Sequence, residues 1–317
     1  MVKYLFILFS FSFAVVTVGP DGPPTYHFAT IQAAIDSVTV NPADIGIDVY
    51  PGTYQENLLI EADMIIRSVG DTSNTIIDGS LGNRSLGSTI VIRPESNTTH
   101  HPVVEIDGFS IKNGKGTEVV NNTITLPDGT HPTEKVGGGL FVYVNSPKIN
   151  NSQFLGNGDN STDKGGAIFG VSSSDGIDFF DRPYQDHPDL EPATGTLDFS
   201  NNTFLGNEAK QGHSVYIYGY ESTTTLMTGD FFDVFSTTYN SASEYWGKSD
   251  SEIDYEDAFG EVEAIYTDVW VDPEKGIDEG NALGDVDNPF LTINYAMSMI
   301  YPTEDNPITI NLMEGTF

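Results

Sequence analysis

Asp175, Asp178 and Asp181 recur at three-residue intervals and run directly into Arg182 and, two residues on, Tyr184. Carboxylates so spaced are hard oxygen ligands of the kind calcium takes. A polysaccharide lyase would use such a calcium to neutralise a uronate carboxyl while a basic side chain abstracts the proton α to it. Arg182 is one candidate base, and Lys164 and Lys210, close to repeated turns, are others. Arg182 and Tyr184 are also candidate substrate-binding residues. The plainer reading of the stretch 172–194 is a solvated acidic insertion on the flank of a larger body. Tyr216, Tyr218 and Tyr220 alternate. They would either line one outer face and stack on sugar rings, or pack in the core and over the neighbouring layer. His213 reads as a turn or ladder residue. His100, His101 and His131 lie in polar loops without carboxylates at ligand spacing, which argues against zinc.

Charge and composition narrow the partners. The 317 residues include 46 Asp and Glu against 13 Lys and Arg, a formal charge of -33. Such a field repels phosphate backbones, so nucleic acid is excluded as a partner. There is no cysteine, hence neither a disulfide framework nor a thiolate metal site. Lys3 precedes an apolar run from Tyr4 to Val16, and Ser12-Phe13-Ala14 offers small residues where a signal peptidase cuts. The run is too short to span a bilayer, so residues 1–14 are expected to be a cleaved secretory signal. No other stretch would cross a membrane. Asn-x-Ser/Thr sequons start at Asn83, Asn97, Asn121, Asn150, Asn160 and Asn201.

The elements that would position these groups follow from a repeat. Phe28 to Ile35 leads to Ile45–Tyr54 and its Gly52-Thr53-Tyr54 turn. Phe290 to Met297 leads to Ile308–Phe317 and Gly315-Thr316-Phe317. Each unit predicts a short amphipathic helix, a strand of alternating apolar residues and a tight turn. The leading Phe and turn Gly are 24 residues apart in one copy and 25 in the other. Between them lie strand-like pieces at 64–66, 75–77, 89–92, 103–111, 140–144 and 214–218. A finer repeat runs through these: Asn151-Ser152-Gln153-Phe154-Leu155-Gly156-Asn157 returns as Asn202-Thr203-Phe204-Leu205-Gly206-Asn207, one residue shorter. Gly165-Gly166-Ala167-Ile168-Phe169 and Gly212-His213-Ser214-Val215-Tyr216 follow the two copies. Stacked aromatics, Asn at corners and Gly at sharp turns imply an all-β parallel solenoid. A sandwich would leave the Phe-x-x-Asn recurrence unexplained. Residues 15–266 are expected to form this body, with the latter part of the acidic, aromatic stretch 221–267 read as irregular layers giving way to a linker. Residues 267–317 are expected to be the cap and first layer of a second, truncated module.

These motifs resemble right-handed parallel β-helix proteins of the pectin-lyase-like superfamily. Thr30–Asp36 through Pro51–Glu56 is similar to the capping helix and first rung of that class. Asp107–Gly114, Gly137-Gly138-Gly139, Phe154–Asn157 and Gly165–Ile168 resemble the repeats of polymorphic-outer-membrane-type surface proteins. Val269–Pro273 with Asn288–Ile293 resembles a cap found before many exported β-helices, some polysaccharide lyases among them. The resemblance implies the right hand of the coil and a secreted or cell-surface protein. It does not extend to two enzyme classes of the superfamily. Gln-Asp-Thr, Phe-Ile-Phe-Gly and Gly-Arg-Pro-Trp, expected of a pectin methylesterase, are absent, and so is the Asp-Asp pair of a polygalacturonase. Gly212-His213-Ser214 only partly echoes the latter's Gly-His-Gly. The expectation is a non-catalytic adhesin or glycan-binding protein whose partner is a polysaccharide or cell-surface glycan. The alternatives are a calcium-dependent lyase acting on acidic polysaccharide, or a structural spacer.

Overall fold

The computed structural model describes residues 15–317 except 41–45, 82–85, 96–97, 122–123, 173–176, 180–191, 221–223, 233–246, 250–251, 255, 258, 261–264, 279–283, 301 and 303–305. The signal-like segment 1–14 lies outside the described residues.

The protein is mostly β, and its three large sheets are parallel. The first has eight strands: Val15–Val18, Gly46–Val49, Met64–Ser68, Val104–Asp107, Lys148–Asn150, Leu197–Asp198, Thr224–Leu226 and Glu252–Asp254. The second has seven: Gly52–Tyr54, Thr75–Asp78, Ser110–Lys112, Gln153–Leu155, Thr203–Leu205, Phe231–Phe232 and Phe259–Gly260. The third has six: Leu58–Ile60, Ile90–Ile92, Leu140–Tyr143, Ile168–Val171, Val215–Tyr218 and Gly247–Ser249. From Gly46 onward the chain visits first, second and third sheet in that order and begins again. The parallel register continues in Thr224–Leu226, Phe231–Phe232, Gly247–Ser249, Glu252–Asp254 and Phe259–Gly260, the last of which fall where the sequence suggested irregular layers.

Strand alternation explains the core. Inward residues meet their counterparts in the next strand, so apolar columns run along the stack. Val16, Ile47, Ile66, Ile106 and Ile149 form one column. Tyr54, Ile77, Ile111, Phe154, Phe204 and Phe232 form another. The Phe154, Phe204 and Phe232 rings stack almost parallel, with centroids 5.2 and 4.9 Å apart. The Asn of the same repeat is a ladder residue. Asn157 N donates to Asn207 Oδ1 at 3.0 Å, and the two Nδ2 groups donate to Ile111 O and Phe154 O at 2.9 Å each. Each side chain therefore supplies the corner hydrogen bonds that a sharp turn removes from the backbone. Gly137, Gly165 and Gly212 repeat at the entry to the third sheet with φ of 62°, 66° and 64°. A Cβ at Gly165 would also meet Ile168 O at 2.3 Å.

The helix α1 (Ile31–Val40) buries Ile31, Ala34, Ile35 and Val38 on one face, as the 3.6-residue period predicts. Both oxygens of Glu56 accept from its first amides, Ile31 N at 2.8 Å and Gln32 N at 2.9 Å. The Gln32 amide pairs with the edge of the third sheet, accepting from Leu59 N at 2.8 Å and donating to Leu59 O at 3.1 Å. A sheet edge that would otherwise be open is thereby occupied.

The second copy repeats these bonds. Val18 pairs with Val49 and bridges Phe28, and Val271 pairs with Leu312 and bridges Phe290. Pro20 packs over Gly52 as Pro273 does over Gly315. Asp278 takes the place of Glu56, accepting from Leu291 N and Thr292 N ahead of α2 (Ile293–Met299). Val269, Val271, Phe290, Tyr295, Ala296, Met299 and Ile300 form a core of their own.

One element was not foreseen. Thr117–Asn121, Thr133–Val136 and Ile177–Phe179 form a three-stranded antiparallel sheet, here called the flap.

Candidate functional site

The third sheet carries an aromatic outer face. Val91, Phe141, Phe169 and Tyr216 are in register with one another and alternate with the inward Ile90, Leu140, Ile168 and Val215. Ring centroids are 5.3 Å apart for Phe141 and Phe169, and 5.9 Å for Phe169 and Tyr216. Tyr143 and Tyr218 flank the row edge to face. Val119 and Val136 of the flap, with Leu86, close over this face and make a second hydrophobic cluster. Tyr216 retains 9% exposure and Tyr218 is half-buried.

At the margin of this face stands Lys164. Its ammonium donates to both oxygens of Glu134 at 2.9 and 2.7 Å and lies 5.6 Å from the Tyr216 ring centroid. Glu134 is a flap residue, so the ion pair fastens flap to stack. Beside it, residues 159–163 form a compact turn. Asp159 Oδ1 accepts from Ser161 N and Ser161 Oγ, and Thr162 Oγ1 donates to Lys115 O. Three lysines surround this turn. Lys115 Nζ is 3.4 Å from Asp159 Oδ2, Lys135 Nζ donates to Ser161 Oγ at 3.4 Å, and Lys210 Nζ donates to Asp163 Oδ1 at 2.8 Å. The Ser161 hydroxyl, and further out Lys115, hold the Asp159 carboxyl below its ordinary range. The hydrogen bond and charge of Asp163 push Lys210 up. Asp159 and Lys210 are therefore charged across the neutral range, and Lys164 and Lys210 are both engaged by carboxylates.

The residues singled out from sequence do not gather in one place. Tyr216 stacks on Phe169 and Tyr218 meets it edge to face on the outer face, whereas Tyr220 is in the interior. The three tyrosines therefore do not share one open face, and Tyr220 packs in the core, the other arrangement that their spacing allowed. After Tyr218 the strand ends, and Tyr220 turns inward to fill the space left by Gly170, its hydroxyl donating to Asn145 O. Burial drives the Tyr220 hydroxyl far up. Asp178 lies in the flap strand Ile177–Phe179, its backbone opposite Val120. Asp175, Asp181, Arg182 and Tyr184 lie outside the described residues. Among the described residues no three His, Cys, Asp or Glu side chains are arranged to hold a metal ion.

His213 is held to a pKa of about 4 by burial, partly offset by a hydrogen bond to the Asn207 backbone, so it is neutral at physiological pH. His100 pairs with Asp63 at 2.7 Å, while His101 and His131 bond to the Val144 and Ile124 carbonyls. The sequons divide: Asn160 and Asn201 are exposed, Asn121 and Asn150 are buried, and Asn83 and Asn97 lie outside the described residues. Among the described residues no helix is long and apolar enough to cross a membrane.

Sequence reasoning missed the lysine-ringed turn because Lys115, Lys135 and Lys210 come from three separate segments. One signal was available. Aligning Gly165 with Gly212 sets Asp163 directly against Lys210, which are the ion pair of two neighbouring layers.

Comparison of the chain with family models found no match, and comparison with curated proteins found none either.

Proposed function

We propose that the protein is an exported, right-handed parallel β-helix of the pectin-lyase-like kind that binds a glycan along its flank without turning it over. The cyclic order of three parallel sheets, the inward apolar columns and the Asn ladder support the fold reading. The observation that carries the binding reading is the margin of the outer face, where Lys164 lies 5.6 Å from the Tyr216 ring and the turn 159–163, exposed at its tip, meets Lys115, Lys135 and Lys210. The flap covers the rest of the aromatic row, and half-buried Tyr218 is its most open ring. A preformed surface with mixed aromatic and hydrogen-bonding groups suits an extended carbohydrate. The basic groups next to it are already paired, Lys164 with Glu134 and Lys210 with Asp163. A lysine held by a carboxylate must leave that pairing before it can reach a substrate proton as a base, which favours binding over β-elimination.

The test uses the purified protein with acidic and neutral polysaccharides, in calcium and in chelator. Unsaturated-uronate absorbance and retention on each immobilised glycan are followed in the same samples. Retention without absorbance is expected. Calcium-dependent absorbance growth would make the protein a lyase, and the absence of both signals would leave a spacer.

A further inference from the structure

We infer that the turn 159–163, with Lys135 at its centre and Lys115 and Lys210 on either side, is a subsite for an acidic sugar unit bearing a carboxylate or sulfate. This deepens the glycan-binding reading and rests on it. Of the lysines and arginines in a chain that has only 13 against 46 carboxylates, three converge here from separate segments. Their partners leave one of them available. Asp159 is engaged by Ser161 and Lys115, Asp163 by Lys135 N and Lys210, and Glu134 by Lys164. Lys135 Nζ meets only a hydroxyl, Ser161 Oγ at 3.4 Å, and no carboxylate among the described residues. Asn160 and Ser161 at the turn tip are exposed, adding an amide and a hydroxyl beside the ammonium. The turn is rigid, since Thr162 N and Thr162 Oγ1 are tied to Asp159 O and Lys115 O.

An oxyanion placed against Lys135 would accept from one ammonium and from the Asn160 amide, with Lys115 and Lys210 near enough to add attraction. Glu118, opposite Lys135 across the flap strands, and Glu208, bridged to Gly158, are the carboxylates that oppose this, and both are exposed to solvent. The charge of -33 does not forbid the site. At physiological ionic strength the screening length is about 8 Å, so distant carboxylates contribute little to the field at this turn.

The experiment measures binding of sulfated and uronate oligosaccharides, and of a neutral glucan of equal length, at low and high salt. It compares the parent protein with Lys135→Gln, Lys135→Arg and, as a surface control on the first sheet, Lys148→Gln. The expected result is acidic-glycan binding that weakens with salt and falls about tenfold in Lys135→Gln, the loss of one charge-assisted hydrogen bond. Lys135→Arg and Lys148→Gln should bind as the parent does, and circular dichroism checks that all variants are folded. Equal affinity of Lys135→Gln and parent for the acidic oligosaccharides overturns the subsite. Retention of the neutral glucan alone also overturns it, while leaving glycan binding intact. Binding to none of the three removes both readings.

Discussion

Asp230 ends a ladder. Phe109 N donates to Ser152 Oγ, Ser152 N to Asn202 Oδ1, and Asn202 N to Asp230 Oδ1 at 2.6 Å. In Asn202 the other side-chain atom is an amide nitrogen that donates to Ile149 O and Phe199 O. In Asp230 that position is a second oxygen, Oδ2, buried and without a hydrogen-bond partner among the described residues. Burial, with Asp198 adding to it, pushes the Asp230 carboxyl well above the carboxylate range against the lowering effect of Asn202 N. The folded state therefore holds a proton that the unfolded chain releases near pH ~3.9. The stability this contributes is full below that value and is lost as pH rises through the raised folded value. Asp230→Asn should remove the loss and stabilise the protein at neutral pH by about 1–3 kcal/mol. Urea midpoints of both proteins at pH 5 and pH 8 decide it, and parallel pH dependences would refute the assignment. Phe204, sandwiched between two rings, sets the opposite limit: Phe204→Ala should cost ~3–5 kcal/mol by the same measurement.

At the scale of elements, corners and caps matter more than strand propensity. Gly165→Ala places a Cβ on a left-handed backbone and against Ile168 O. It should lower stability by at least ~1–2 kcal/mol, whereas the same change at Gly46, where the nearest atom is 3.9 Å away, should not. Thermal melts of the two variants make the comparison. Glu56→Ala, which strips both acceptors from the start of α1, should cost ~1–2 kcal/mol. These elements were legible because their signals are local: the 3.6-residue period of Ile31, Ala34, Ile35 and Val38, the alternation in Gly46–Val49, and the apolar run Leu140–Tyr143. The flap was not. Thr117–Asn121 and Thr133–Val136 are polar strands whose burial comes from the aromatic outer face they cover, and Ile177–Phe179 joins them from a distant segment. The inward turn of Tyr220 was hidden for the same reason, since Gly170 makes room for it fifty residues earlier in the chain. The lysine-ringed turn also depends on stacking, which a linear reading meets only after the layers have been aligned.

At the scale of the whole molecule, the main body and residues 265–317 have separate hydrophobic clusters. The main-body cluster is continuous through the columns, so each layer depends on its neighbours. The 265–317 cluster centres on Phe290, packed 5.1 Å from Tyr295. Phe290→Ala should abolish amide-exchange protection in 265–317 and leave protection in 46–232 unchanged. Loss in both regions would show a single cooperative unit. The correspondence of Val18, Phe28 and Gly52 with Val271, Phe290 and Gly315 makes the cap a reusable part, with Glu56 replaced by Asp278 on the other side of the helix start.

The parallel ladders also give the molecule a mechanical grain. Their backbone hydrogen bonds point from layer to layer, across the strands and along the stack. A load applied along that direction meets one layer's bonds at a time and should peel the protein open in a series of small steps. A load applied along the strands must shear all the bonds of a layer together and should meet far higher resistance.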